Sequence, residues 1–301
     1  MNILREVQKF IEHYKKTINR LFALLGFLII SIVLFNLGTT TDLDQLKQIN
    51  AHYFMLAALF SVLGFFCQAL SWKYSIQAEN THYGALNAIH DHGITIFTKY
   101  IPGKVFAVAS RAFLASSNTG ITLTLSLIAS TKNMLICLAV GTVLPLAYLA
   151  LKGDLGFLPA LAGITLSDDL DTITQSLLLL VAILVVVYIA KKKALGKQQV
   201  WVCLLYGLNW LLWILGFMFL SSSITGHFDL SIGAIYCLAI CLGVIAIFAP
   251  GGLGVREGFF WLALTTMDYS AETAATLALA SRLWFVLGEL GIFVMAFLLR
   301  H

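Results

Sequence analysis

Apolar residues run along this chain in long blocks separated by short polar gaps. The blocks cover 21–38, 53–72, 84–101, 103–117, 121–151, 172–190, 201–222, 232–249, 254–267 and 273–299. Two neighbouring pairs are short and divided by helix-breaking residues. Pro102-Gly103 parts one pair; Pro250-Gly251-Gly252, followed by Gly254, parts the other. Proline removes a helical donor and glycine frees the backbone. Each pair is therefore predicted to be a re-entrant hairpin of two half-helices, over 84–117 and 232–267. The remaining blocks suit membrane-spanning helices, which need ~20 apolar residues each. In residues 1–20, Ile3, Leu4, Val7, Phe10, Ile11, Tyr14 and Ile18 recur at helical spacing among basic residues, which predicts an amphipathic helix on the membrane surface.

The blocks repeat. Pro102 and Pro250 lie 148 residues apart, and the same shift carries the first half's blocks onto the second half's. The last block of each half also carries a similar string, Ala129-Ser130-Thr131-Lys132 and Ala280-Ser281-Arg282. Each half, 21–151 and 152–301, reads as span, span, hairpin, span. A hairpin does not cross, so each half crosses an odd number of times and the second repeat should be inverted. The predicted fold is an all-α polytopic membrane protein of two inverted repeats, an architecture common among secondary transporters.

Composition agrees with this pattern. Of 301 residues 59% are hydrophobic and 11% charged, against about 25% charged in soluble domains; mean hydropathy is +0.89. No hydrophilic stretch is long enough for a second, soluble domain. No small-residue cleavage site follows block 21–38, so it reads as a retained anchor. The five cysteines all fall in apolar blocks and read as buried, reduced thiols. Tyr53, Trp72, Trp201 and Tyr269, near block ends, read as interface anchors. Placing both termini in the cytoplasm puts Arg5, Lys9, Lys15, Lys16, Arg20, Lys73, Lys191, Lys192, Lys193, Lys197 and Arg300 inside. Only Lys47 and Lys152 fall outside, as the positive-inside bias requires. The first hairpin then enters from the cytoplasm and the second from the far side.

That assignment strands Lys99, Lys104, Arg111, Lys132, Arg256 and Arg282 in the membrane, with Asp91, Glu257 and Glu289. Each such ion costs roughly 2.5–3.5 kcal/mol on insertion scales, so these groups should face a wet cavity or one another. Lys104 and Arg111 share one helical face, ~10.5 Å apart along the axis. The half-helix beginning after Pro102 presents free N–H groups beside Lys104, which suits an anion. Several cations and few acids favour a phosphate headgroup over a carboxylate, and Lys99, Lys104, Arg111 and Arg256 are the expected headgroup contacts. The same cations would also serve if they snorkel to the surface or hold structural lipid. Arg256 and Glu257, being adjacent, should have different partners, with Glu257 pairing with Arg282 or capping its half-helix. Lys132, Glu257, Arg282, Glu289 and Asp91 form the expected structural or proton-coupling network. His90-Asp91-His92 has no metal-ligand geometry on a helix, where consecutive positions diverge, and reads as polar lining of the first hairpin. No metal, cofactor or nucleic acid is expected.

The string PGGLGVREGFF with the later Ser281-Arg282-Leu283 resembles the transmembrane-region family of lysylphosphatidylglycerol synthases. This is the flippase domain of the bacterial multiple peptide resistance factor and its stand-alone relatives. The family's P-G-G-x-G-x-x-E turn matches Pro250, Gly251, Gly252, Gly254 and Glu257. Its first-hairpin pattern matches Pro102, Gly103, Lys104 and Arg111. The chain departs at Thr131-Lys132, where the family has a Glu-Arg pair. The resemblance spans nearly the whole chain. It implies a bacterial cytoplasmic membrane protein that translocates lipid, without the separate domain that performs aminoacyl transfer.

The expected function is flippase-like movement of an anionic phospholipid or a polyprenyl-phosphate-linked sugar. One rival is a membrane scaffold for a cytoplasmic glycosyltransferase or lipid synthase, docked on residues 1–20 and 191–197. The other is an intramembrane lipid-modifying enzyme, for which no nucleophile–base pair is present.

Overall fold

The computed structural model describes residues 50–79, 82–100, 105–158, 196–246, 249–252 and 254–299. Every regular element among them is helical. Among the described residues four helices are long and apolar enough to cross a membrane: α1 (Ala51–Gln77), α4 (Leu123–Lys152), α5 (Lys197–Thr225) and α8 (Ala271–Leu298). The shorter α2 (Ala85–Ile94) and α3 (Val105–Thr119) lie between α1 and α4, while α6 (Leu230–Ile245) and α7 (Val255–Thr266) lie between α5 and α8. At 10, 15, 16 and 12 residues, none of these four reaches the ~20 needed to span. The order long, short, short, long thus occurs twice. The apolar blocks 21–38 and 172–190, the surface helix expected over 1–20 and Lys191–Lys193 lie outside the described residues, as do Pro102, Gly103 and Lys104.

Local chemistry marks the helix ends. Asn50 caps α1 by accepting from the His52 and Tyr53 amides, Asp229 caps α6 and Ser270 caps α8. Gly153 and Gly226, both left-handed, end α4 and α5. These caps matter because hydrocarbon offers no water to satisfy the unpaired amides and carbonyls of a helix terminus.

The two halves are tied together by α1 and α5, which run antiparallel. At one end the Asn50 amide donates to the Ser223 carbonyl at 3.1 Å; at the other, Tyr74 stacks on Trp201. Small residues let the helices close up: Gly64 lies directly under the Trp213 indole and Gly288 of α8 under Ser61. Between membrane helices van der Waals contact has to supply the attraction, and small residues permit it. Three indole N–H groups find carbonyls, Trp213 that of Ser61, Trp284 that of Ala57 and Trp210 that of Cys137. Phe65, Trp213, Phe217, Tyr236, Phe260, Trp284 and Phe285 fill the centre edge-to-face and stacked. Met55, Leu59, Leu63, Leu135, Leu204, Leu211 and Val294 point outward and exposed, a belt suited to lipid rather than water.

The antiparallel pair sets the hairpins against each other. The chain leaves α1 at the Gln77 end to enter α2–α3, and Gln77 donates to the Tyr83 carbonyl there. It leaves α5 at the opposite end, beside Asn50, to enter α6–α7. Gly93 of α2 sits against the α8 backbone at Ile292, and Gly233 of α6 against the α5 backbone at Ile214. The hairpins approach from opposite ends of the bundle and their tips touch: Gly251 lies against the Tyr100 ring.

Candidate functional site

Where the tips meet, a cavity of about 200 Å³ opens among α1–α8, with Ile96, Lys99 and Gly251 of the two tips in its wall. Its walls are mainly apolar, with Phe65, Val108, Met134, Leu138, Trp213 and Phe285 among them. Into this lining project Lys99, Arg111 and Arg256. Three of the cations singled out by their cost in apolar sequence therefore share one space, although they come from both halves of the chain.

The breaks are shaped for this approach. A short 3₁₀ turn, Ile96–Tyr100, ends the described first arm; a second, Pro250–Gly252, leads to α7. Gly251 and Gly252 take φ of +59° and +75°, a region costing other residues roughly 1–2 kcal/mol. A side chain on Gly251 would strike the Tyr100 ring, and one on Gly252 would meet the Gly243 backbone at 2.9 Å. Glycine is needed here on both counts.

The ion pairs connect hairpins to α8. The Lys99 ammonium lies 2.5 Å from Glu289, and the Tyr100 hydroxyl donates to the same carboxylate at 3.0 Å. Lys99 also sits over the Phe65 and Phe285 rings, contacts that favour a desolvated cation. In the second hairpin Glu257 accepts from the Gly254 amide at 2.9 Å, capping α7, and pairs with Arg282 at 2.7 Å. Capping and pairing thus occur together. The expectation that Arg256 and Glu257 take different partners is wrong: Arg256 Nε donates to Glu257 Oε1 at 3.0 Å. Glu257 turns back over the first turn of α7 to reach Gly254, and that brings its second oxygen to its neighbour. Arg256 is nonetheless buried, lies over Tyr236 and Phe285, and lines the cavity. Arg282 and Glu289, on one face of α8, serve different hairpins.

Arg111 differs from the other two. Among the described residues it has no carboxylate in ion-pair reach; it contacts His92 and Ser130 at 3.3 Å each and stacks at 4.5 Å over Trp72. Trp72 is fully buried under this guanidinium, which corrects its reading as an interface anchor: its position near the end of a block says nothing of which face it takes.

Two expected members of the ion network lie elsewhere. Asp91 is fully buried but faces Tyr83, Asn118 and His90, tying together the arms of the first hairpin. Lys132 is about half exposed and pairs with Glu79 at the end of α1, at 3.2 Å. Residues that pattern alone did not single out also line the cavity, namely Gln68, Thr95, Tyr206 and Trp210. Nothing in their spacing distinguishes them from ordinary helix packing. Among the described residues no three His, Cys, Asp or Glu side chains converge as metal ligands. The surfaces expected to dock a cytoplasmic enzyme lie outside the described residues, apart from Gly196 and Lys197.

With this geometry in view, comparison with known families gives a match over residues 23–287, to the family described as the lysylphosphatidylglycerol synthase TM region. The chain belongs to that family. Both hairpins, both breaks and all four long helices fall within the match except the last turns of α8. Curated proteins give no match. Membership of this family points to a membrane, lipid-related role.

Proposed function

We propose that this protein moves an anionic lipid across the bacterial cytoplasmic membrane, its headgroup passing through the cavity between the hairpin tips. The observation that carries this reading is the charge imbalance there. Among the described residues, Lys99, Arg111 and Arg256 line the cavity with no carboxylate in its wall. Behind them Glu289 pairs with Lys99 while Glu257 pairs with Arg256 and Arg282, so four cations meet two carboxylates, an excess of two positive charges in a mainly apolar setting. A unit anion ~4 Å from one uncompensated cation gains about 4 kcal/mol at an effective dielectric near 20. That gain exceeds the ~2.5–3.5 kcal/mol cost of placing one such cation in the membrane.

Size supports a headgroup. Sites for drug-sized ligands run to roughly 300–1,000 Å³, so a cavity of about 200 Å³ suits a phosphodiester and its substituent, with the acyl chains left in the bilayer. A phospholipid such as phosphatidylglycerol or a polyprenyl-phosphate-linked sugar meets this requirement. Lys99, Arg111 and Arg256 are the described headgroup contacts, and Lys104 joins them on sequence grounds. The role is transport rather than lipid chemistry.

Alternating access follows if the halves are inverted repeats, with both termini cytoplasmic. The antiparallel α1 and α5 and the opposed hairpins favour that relation. The Lys99–Glu289 pair, which joins the two halves, would then break and reform as one half rocks against the other, while Glu257–Arg282 stays within the second half. Purified protein in proteoliposomes should move fluorescent phosphatidylglycerol between leaflets, with Arg111→Ala or Arg256→Ala each slowing it at least about tenfold. Each substitution removes a charge-assisted contact worth about 1.5–3 kcal/mol. Wild-type rates in both variants would overturn the proposal.

A further inference from the structure

His92 is 5% exposed and lines the cavity beside Arg111. Its Nδ1 lies 3.3 Å from Arg111 Nη1. A guanidinium can only donate, so Nδ1 must accept, and the ring proton of a neutral imidazole then sits on Nε2. That Nε2 is buried and, among the described residues, has no hydrogen-bond partner; nor does Arg111 Nε. Two buried donors without acceptors, on touching side chains in one cavity, form an arrangement that normally costs free energy until an acceptor arrives. Lys99 and Arg256 differ, since Glu289 and Glu257 already occupy them.

We propose that His92 and Arg111 form the phosphoryl-oxygen subsite of the cavity, with His92 Nε2–H and the Arg111 guanidinium donating to one phosphate group. This rests on the headgroup-cavity reading above and sharpens it. Lys99 and Arg256, each already paired with a carboxylate, then meet the rest of the headgroup, while the Arg111 end takes its phosphoryl oxygens. Trp72 behind the guanidinium and Ser130 at its Nη2 fix the plane of the fork. His92 itself needs no charge, because Nδ1 facing Arg111 keeps it neutral and its proton pointed away from Arg111.

Binding tests this independently of transport. In detergent, phosphatidylglycerol and, separately, inorganic phosphate are titrated against wild type, His92→Phe and His92→Gln, with diacylglycerol as the phosphate-free control. Phosphatidylglycerol binding at least about tenfold weaker in His92→Phe, largely kept in His92→Gln, with diacylglycerol indifferent to both, supports the subsite with a lipid source. The same pattern with inorganic phosphate alone supports it with a free anion as ligand, and moves the failure to the lipid-transport reading. Equal binding by wild type and His92→Phe, or binding of neither phosphate compound by wild type, overturns it. If His92→Phe does not fold, the ¹⁵N resonances of the wild-type ring decide: Nε2 protonated, and shifting when phosphatidylglycerol is added. A proton on Nδ1, or no shift, overturns the proposal.

Discussion

Glu289 receives Tyr100 across 189 residues of sequence and neutralises Lys99 in the same contact. Glu289→Ala leaves Lys99 without its carboxylate, and breaking a buried pair typically costs about 3–5 kcal/mol. The double substitution Lys99→Met with Glu289→Leu removes both charges and should melt far closer to wild type than the single one, a difference that thermal unfolding in detergent reads directly. Gly251→Ala should also destabilise, by at least about 1 kcal/mol, because its backbone is left-handed and its new methyl meets Tyr100. At this scale the sequence told which residues matter better than it told whom they meet. A cation in an apolar block is conspicuous, so Lys99, Arg111, Arg256 and Arg282 stand out. The pairing of Glu257 with Arg282 followed from their placement after the second break. The pairing of Lys99 with Glu289 did not, because it depends on how two halves dock. His92 was hidden for a different reason: an uncharged histidine beside an aspartate looks like ordinary polar lining until its neighbours are known.

Helix packing here depends on glycines under indoles. A methyl on Gly64 would overlap the Trp213 ring, whereas the space beside Gly207 is open. Gly64→Ala is expected to cost about 1–3 kcal/mol by overpacking, and Gly207→Ala to be tolerated, by the same unfolding measurement. Hydrophobic blocks announced each of the four described long helices and the shorter helices between them, since length and Pro-Gly breaks are local properties. They could not announce which face of a block turns inward, because a helix apolar all round carries no amphipathic signal. That is why Trp72 looked like an anchor and proved to be core. A second contact joins elements at the bundle end: Lys152 at the end of α4 meets Asp154 and Asp229, the latter capping α6. Burial alone would raise the Asp229 carboxyl, but the Ser231 amide and Lys152 outweigh it and hold it below its usual range. A depressed carboxylate contributes stability above its unfolded pKa of about 3.9, and that contribution fades as pH falls through the lower folded value. Wild type should therefore melt above Asp229→Asn at pH 6, and the two should converge at acid pH below about 4.

Across the whole molecule, two hairpins approach from opposite ends and close on one cationic space. The proposed orientation puts the His227 end outside and the His82 end in the cytoplasm. In a cysteine-free background, His227→Cys should react with a membrane-impermeant maleimide on intact cells, and His82→Cys only after permeabilisation; the reverse pattern would invert the topology. The inverted arrangement is an inference from block order, through the odd count of crossings expected in each half; the antiparallel α1 and α5 are what the described residues add to it. The shared cavity was only implied, since nothing local says that Tyr100 and Gly251 touch. The central claim is that an anionic headgroup enters that cavity, and photo-crosslinking tests it most directly. A phosphatidylglycerol analogue carrying a diazirine in its headgroup is irradiated with the protein in proteoliposomes and the adducts are mapped by mass spectrometry. The account predicts labels on cavity residues such as Gln68, Val108, Met134 and Phe285, suppressed by excess unlabelled phosphatidylglycerol and by Arg111→Ala. Labels confined to the outward belt of Leu59, Leu135, Leu204 and Leu211, and indifferent to Arg111, would contradict it.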